Sequence, residues 1–455
     1  MRRIIRLAAL FIALTLLFSC ESGRKASGTA DSFTIGYGEC DISFDLAKET
    51  IYVAGYRGNT PAEGVLDIPK VRAVWLGADV SVLLLSVDCI ALASGTVASI
   101  RAELSGLSAE SGCCEIHIIS THDHAGGDTL GLWGPDGIDG KNAEYMRSLT
   151  KAAVTAAEGA YLDRRAGKLY FGSVDCSDLL EDTRLPRVFD GNVYSFRFIP
   201  DDGSDGIRIL NLASHAEALG GGNTMISADF PAYIAARIRE LSGERTIYFP
   251  GAIGGLIRTV FTDEDGVLIC RLTGERIADR ALAINGETEL PPEISCIGES
   301  FEISCENPLF IGMRFLGVLG NDIRVSFGRV TVKTEMTLLT LGGKRILLLP
   351  GEIFPELVYG GDADFVPTHP EREDPPTLCG IFGDDLLIFG LADDEIGYII
   401  PPSDFELHPA HPYLTTPEKD HNGENHYEET NSVGMNAAAE IAEAAERIYA
   451  KLRMK

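Results

Sequence analysis

The chain lacks several features that would decide its class at once. Its ten cysteines form no C-x-x-C pair, so there is no zinc-ribbon or thioredoxin-like pattern. No G-x-S-x-G elbow occurs, which disfavours a serine hydrolase. No fixed period suggests a repeat array. Basic residues are few: 39 Lys and Arg stand against 67 Asp and Glu, a net charge of −28. Such a surface repels nucleic acid and anionic head groups, and is compatible with a neutral or zwitterionic ligand. The apolar run at residues 7–18 falls short of the about 20 residues that span a bilayer.

That run follows Arg2, Arg3 and Arg6 and ends in Leu17-Phe18-Ser19-Cys20. Residues 1–19 therefore read as a signal peptide, with Cys20 as the lipidated residue of a lipobox. Residues 20–32 read as a Gly/Ser/Ala-rich tether. The expected location is outside the cell, anchored to the bacterial membrane as a lipoprotein or else plainly secreted. An oxidising exterior permits a disulfide between Cys296 and Cys305, which flank a short segment. Most other thiols, such as Cys89, read as buried and unpaired.

What is present is a recurring pattern. Short apolar runs lead directly into Gly-rich or polar loops, at residues 81–87, 115–120, 206–213, 245–249, 344–349 and 385–390. Apolar on both faces, these read as buried strands. Helical spacing appears at 142–161, 230–241 and 436–451. The expectation is an α/β fold: one large domain over 33–455, with a mixed, largely parallel β-sheet core and flanking helices. Residues 291–340 read as antiparallel strands without a clear helix. Residues 402–432 read as a polar loop insertion.

Ligands of open α/β sheets bind beyond the carboxyl ends of strands. Here those ends deliver His122 with His124, His215 and Glu352, and Tyr398 follows another. Two histidines and a carboxylate suit a catalytic Zn2+ with a position left for water. His122 and His124, two apart on an extended segment, would face the same side. Each piece has a plainer reading: a core histidine pair, a turn beside Gly220-Gly221-Gly222, a helix cap at Glu352. His117 reads as a core histidine, and His408, His411, His421 and His426 as a solvated loop.

The motifs resemble those of the neutral/alkaline non-lysosomal ceramidases. Thr121-His122-Asp123-His124-Ala125-Gly126-Gly127, His215-Ala216-Glu217, Leu349-Pro350-Gly351-Glu352, Gly397-Tyr398-Ile399 and Tyr427-Glu428 occur in the family's order. The resemblance implies that His122, His215, Glu352 and Tyr398 hold zinc, with the metal site at the C-terminal ends of strands. It implies that His124 acts as acid/base, and that Tyr427 and Arg184 polarise the amide carbonyl. The implied activity is hydrolysis of an N-acyl, ceramide-like amide by a metal-activated water. Where the family carries Gly-Asp-x-Ser-Pro-Asn, this chain reads Gly254-Gly255-Leu256-Ile257-Arg258. A binding lipoprotein of the same fold, or another metal-dependent esterase, stands as the alternative.

Overall fold

A computed structural model describes residues 30–135, 138–260 and 265–454. The segment read as a signal peptide, Cys20 and most of the segment read as a tether lie outside the described residues. The apolar runs become strands of two sheets. The first contains β1 (Phe33–Asp41), β2 (Lys70–Gly77), β3 (Ser81–Val87), β4 (Glu115–Ser120), β5 (Arg165–Asp175), β6 (Asn192–Pro200), β7 (Ile207–Leu212) and β8 (Arg245–Pro250). Its order is β8-β7-β6-β5-β1-β2-β3-β4, with Thr288–Glu289 added beside β5. The second sheet runs β9 (Ile294–Ser304), β10 (Arg329–Leu341), β11 (Lys344–Leu348), β12 (Leu387–Phe389), and Asp322–Ser326 pairs with β10.

The two sheets share one core. Ile35, Leu84, Ile209 and Phe249 of the first pack with Leu339, Ile346, Leu348 and Phe389 of the second. Phe249 stacks on Phe389 with ring centroids 4.7 Å apart. Residues one step along the same strands face outward and meet helices. Ala73, Trp75 and Leu83 pack with the alanine stripe of α1 (Ala143–Leu162). Leu210 and Tyr248 pack against α2 (Asp229–Ser242) and α3 (Gly266–Leu282). Val332 and Leu338 of the second sheet pack against α4 (Ala437–Met454). The alanine stripe lets α1 lie close to β1: a Cβ on Gly38 would sit 2.1 Å from the Ala156 carbonyl oxygen.

The α/β class, the mixed sheet and the flanking helices are as the sequence indicates. The proportion of parallel pairing differs. Parallel pairs are β7/β8, β3/β4 and β11/β12, while the rest of both main ladders is antiparallel. A sheet covered by helices on one side and by a second sheet on the other buries both faces. It therefore carries the same continuous apolar runs as a parallel sheet. Residues 294–304 and 322–341 are antiparallel, as expected. Between them stands a short helix, Pro308–Phe315, started by the Asn307 side chain accepting from Leu309 N–H and by Pro308 in the first turn. The helices Ser94–Glu103 and α3 have weak amphipathic patterns, which give no helical spacing to read in the sequence.

The Cys296–Cys305 disulfide does not form. Cys296 lies in β9 and Cys305 just past its end, so nine residues of extended chain, about 30 Å, separate them. Cys296 instead neighbours Cys114. Among the described residues no helix is long and apolar enough to cross a membrane. The shared core makes a direct prediction. Phe249→Ala, deleting a ring with no exposed surface, should cost about 3–5 kcal/mol in urea unfolding. A loss below about 1 kcal/mol would show that the sheets do not depend on this contact.

Candidate metal centre

The first sheet is coiled enough to bring its distant strands together. Ser86 Oγ in β3 donates to the Tyr248 carbonyl in β8 at 2.7 Å, although these strands lie near opposite ends of the order. The carboxyl ends of β4 and β7 therefore meet, and the loops beyond them bridge at Asp123 and Ala216. His124 N–H donates to the Ala216 carbonyl at 2.9 Å. Beyond β11 and β12, Glu352–Ile353 and Tyr398–Ile399 form a short parallel ladder in which Glu352 is register partner to Tyr398. The four residues thus follow strands β4, β7, β11 and β12, each a member of a parallel pair.

His122 and His215 are held alike. His122 Nδ1 lies 2.9 Å from the Ile90 carbonyl, and His215 Nδ1 lies 3.0 Å from the Ile257 carbonyl. A carbonyl only accepts, so each Nδ1 carries the proton and each Nε2 presents its lone pair. Both Nε2 atoms stand 3.2 Å from the same oxygen, Glu352 Oε2. Two Nε2 atoms facing one carboxylate oxygen call for positive charge at that point, carried by a ring proton or by a cation between them. The spacing fits a cation: ligands about 2.0–2.1 Å from a tetrahedral zinc lie about 3.3 Å from each other. Burial pushes the Glu352 carboxyl up, but His122 and His215 outweigh it and hold the group well below the usual carboxylate range.

His122 has φ +59°, so the pair with His124 does not lie on an extended segment. The turn at His122 brings the two rings to 4.8 Å, edge to face. Strain of this kind in a non-glycine residue is characteristic of functional loops. His122, His124 and His215 form a group able to hold a metal ion, with ligating atoms within 4.8 Å of one another. His124 differs from the other two. Neither of its ring nitrogens has a hydrogen-bond partner. Its Nδ1 is 3.9 Å from Glu217 Oε2, and Tyr56 lies edge-on at 5.1 Å. Burial, then His122 and His215, hold its pKa well below the ordinary value, which favours the neutral ring.

The site opens into a cavity of about 1170 Å³ lined by His122, His124, Glu352, Tyr398 and Tyr427. One wall is apolar, with Leu130, Leu132, Trp133, Phe310, Met313 and Leu319. Phe310 and Met313 come from the short helix Pro308–Phe315. Tyr427 stands edge-on to Tyr398 at 6.3 Å, so residues 402–432 bring their tyrosine to the site. Arg184 is not among the lining residues. Its Nη2 bonds Asp404 Oδ2 at 2.9 Å, its Nη1 lies 2.9 Å from Glu428 Oε2, and its plane covers Phe354 at 5.0 Å. Two buried carboxylates take the guanidinium that the motif would turn toward a substrate.

Three residues at the cavity carried no separate assignment in the sequence. Glu217 accepts from the Tyr56 hydroxyl at 2.8 Å and flanks His124. Its place two residues after His215, on the same short motif, was the available signal. Glu395 is buried, accepts from Gly397 N–H at 2.6 Å and leaves its other oxygen without a partner. Burial and then Glu352 push its carboxyl well up, toward the neutral acid. The loop at residues 254–258 gives its backbone to His215, through the Ile257 carbonyl, and its Leu256 side chain to the cavity.

No protein-family model and no curated protein matches the chain. Solved structures do match its fold. The crystal structure of neutral ceramidase from Pseudomonas aeruginosa aligns with a TM-score of 0.69 at 12% identity, covering 92% of this chain and 75% of that one. A ceramidase complexed with C2 aligns with a TM-score of 0.69 at 13% identity, over 93% of this chain and 75% of that one. The chain therefore has the fold of the neutral ceramidases.

Proposed function

We propose that this protein is a zinc-dependent hydrolase of N-acyl amides, with ceramide-like molecules as its substrate class. The observation that carries the reading is the convergence of two proton-fixed imidazoles on one oxygen of Glu352. The fold shared with ceramidases supplies the substrate class. His122, His215 and Glu352 would hold the ion, with the Tyr398 phenol beside Glu352 as the fourth protein ligand. When bound there, zinc would supply Lewis acidity and the activation of water that such ions provide, with a water pKa of about 7.

The remaining work falls to the chain's own groups. His124, neutral and unpartnered, takes the proton of the attacking water and returns it to the amine as the C–N bond breaks. Glu217, with Oε2 at 3.9 Å from His124 Nδ1, places a negative charge beside the ring that stabilises it once protonated. Tyr427 donates its hydroxyl to the amide oxygen as negative charge develops there. Arg184 acts one step back, holding Glu428 next to Tyr427. The wall formed by Leu130, Trp133, Phe310 and Met313 takes the acyl chain and keeps water from it. Release of product from a panel of fluorogenic N-acyl amides of varied chain length tests this reading. Binding of these amides without cleavage of any amide or ester would leave a binding lipoprotein in its place.

Gly55 gives a sharper check on His124. It has φ +102°, and a Cβ there would come within 2.6 Å of the His124 ring. Gly55→Ala should push the ring aside, since displacements of about 1 Å at a reacting group cost about 10²-fold in rate. Metal content should be unchanged, because Gly55 touches none of the proposed ligands in that contact. A full rate with alanine at position 55 would show that His124 need not sit where it does.

We also propose that the protein works at the outer surface, tethered through a lipid on Cys20. The support is the lipobox-like run 17–20 after an apolar segment. Wild type should fractionate with membranes, and Cys20→Ala should be released or retained as precursor. Equal release of both into the medium would contradict the anchor.

A further inference from the structure

The insertion at residues 402–432 holds a second cluster that the reaction does not use. We infer that Asp404, Asp420 and His426 form a second site for a divalent transition-metal ion of the zinc type. One ligating atom from each of the three lies within 4.8 Å of the others. His426 has no exposed surface, and the Asp420 side chain is 2% exposed. This differs from the solvated loop that the sequence suggests for His426. Its neighbours Glu428 and Glu429 are buried as well.

The decisive atom is His426 Nε2. Nδ1 lies 2.8 Å from Glu429 Oε1, and a carboxylate only accepts, so Nδ1 carries the proton. Nε2 is buried without a hydrogen-bond partner. It faces Asp420 Oδ2 at 3.9 Å, too far for a hydrogen bond and wide enough for an ion between them. A carboxylate behind a histidine is the usual support of a metal-binding imidazole, fixing its tautomer and raising its basicity. Asp404 uses Oδ2 for Arg184 at 2.9 Å, and its Oδ1 accepts only from Thr368, through N–H at 3.2 Å and Oγ1 at 2.8 Å. Asp420 Oδ1 accepts from the N–H groups of Asn422 and Glu424, and its Oδ2, on the side of His426, lies 3.1 Å from Thr368 Oγ1 and 3.2 Å from Asn422 Nδ2, with a further lone pair left for an ion.

Charge points the same way. Asp404, Asp420, Glu428 and Glu429 bring four carboxylates, and Arg184 is bonded to two of them. Glu429 Oε2 is buried without a partner. Buried carboxylates in such excess call for protonation or a cation, and an imidazole lone pair selects a zinc-type ion over calcium or magnesium. The ion would join the turn Pro402–Asp404 to the 420–426 stretch, one residue before Tyr427. It would thereby fix the insertion that carries this tyrosine.

The test counts ions in the purified chain after equilibration with zinc and desalting. Wild type should retain two zinc ions per chain. His426→Ala should retain one, and Asp420→Asn, nearly isosteric and therefore safer for folding, should also retain one. Glu352→Ala should lose the other ion and keep this one. Pairing Glu352→Ala with Asp420→Asn should leave none. A single ion in wild type that Asp420→Asn does not remove would overturn the second site while leaving the proposed catalytic centre intact. Loss confined to Asp420→Asn, with none on Glu352→Ala, would do the reverse.

Discussion

Glu352→Ala is expected to remove one zinc ion per chain and to lower amide hydrolysis by on the order of 10⁴-fold or more, the scale of losing water activation. Glu352 is the oxygen on which His122 and His215 both converge. Without it, two neutral rings held by the Ile90 and Ile257 carbonyls face each other with no negative charge between them. Neutral imidazoles alone bind a dication far less well than with a carboxylate. The variant should still fold, because the change removes a buried carboxylate rather than stranding a charge. Metal counting and a rate measurement on the same preparation give both readouts. Retention of the ion by Glu352→Ala would place the metal elsewhere.

His124→Ala should separate chemistry from metal binding. Its rate should fall by about 10²- to 10⁴-fold, the usual contribution of a positioned acid/base, while the zinc count stays at the wild-type value. The structural reason is that His124 makes none of the contacts that define the ligand pair. Neither of its nitrogens has a hydrogen-bond partner, and the carboxylate beside its Nδ1 is Glu217, at 3.9 Å. Glu217→Gln should reproduce part of this loss through kcat rather than KM, since Glu217 acts on His124 through its charge and does not bind the amide. Loss of zinc from His124→Ala as complete as from Glu352→Ala would make His124 a ligand.

Much of this site was legible because strand ends are legible. His122, His215 and Glu352 each follow a continuous apolar run at once, and such runs are buried strands whatever sheet they join. The direction of the neighbouring strands was not legible. An antiparallel strand sandwiched between a helix layer and a second sheet, as β1 and β2 are, has the same composition as a parallel one. Side-chain partners were harder still. Arg184 sits in a recognisable Thr-Arg-Leu-Pro run, yet its partners Asp404 and Glu428 lie 220 and 244 positions along the chain. Nothing local to Arg184 records them. His426 was misread for a related reason. Its segment is polar throughout, and only the packing of that segment over Arg184 turns polar residues inward. The backbone turn at His122, φ +59°, has no sequence signal at all, because the residue there is histidine and not glycine.

The most direct measurement is amide turnover by the purified chain before metal removal, after chelation, and after zinc is restored. The expected result is cleavage of an N-acyl amide that chelation abolishes and zinc returns in wild type, with no return in Glu352→Ala. A fully metal-loaded wild type that cleaves no amide or ester, or turnover that survives complete removal of metal, would contradict the proposed centre.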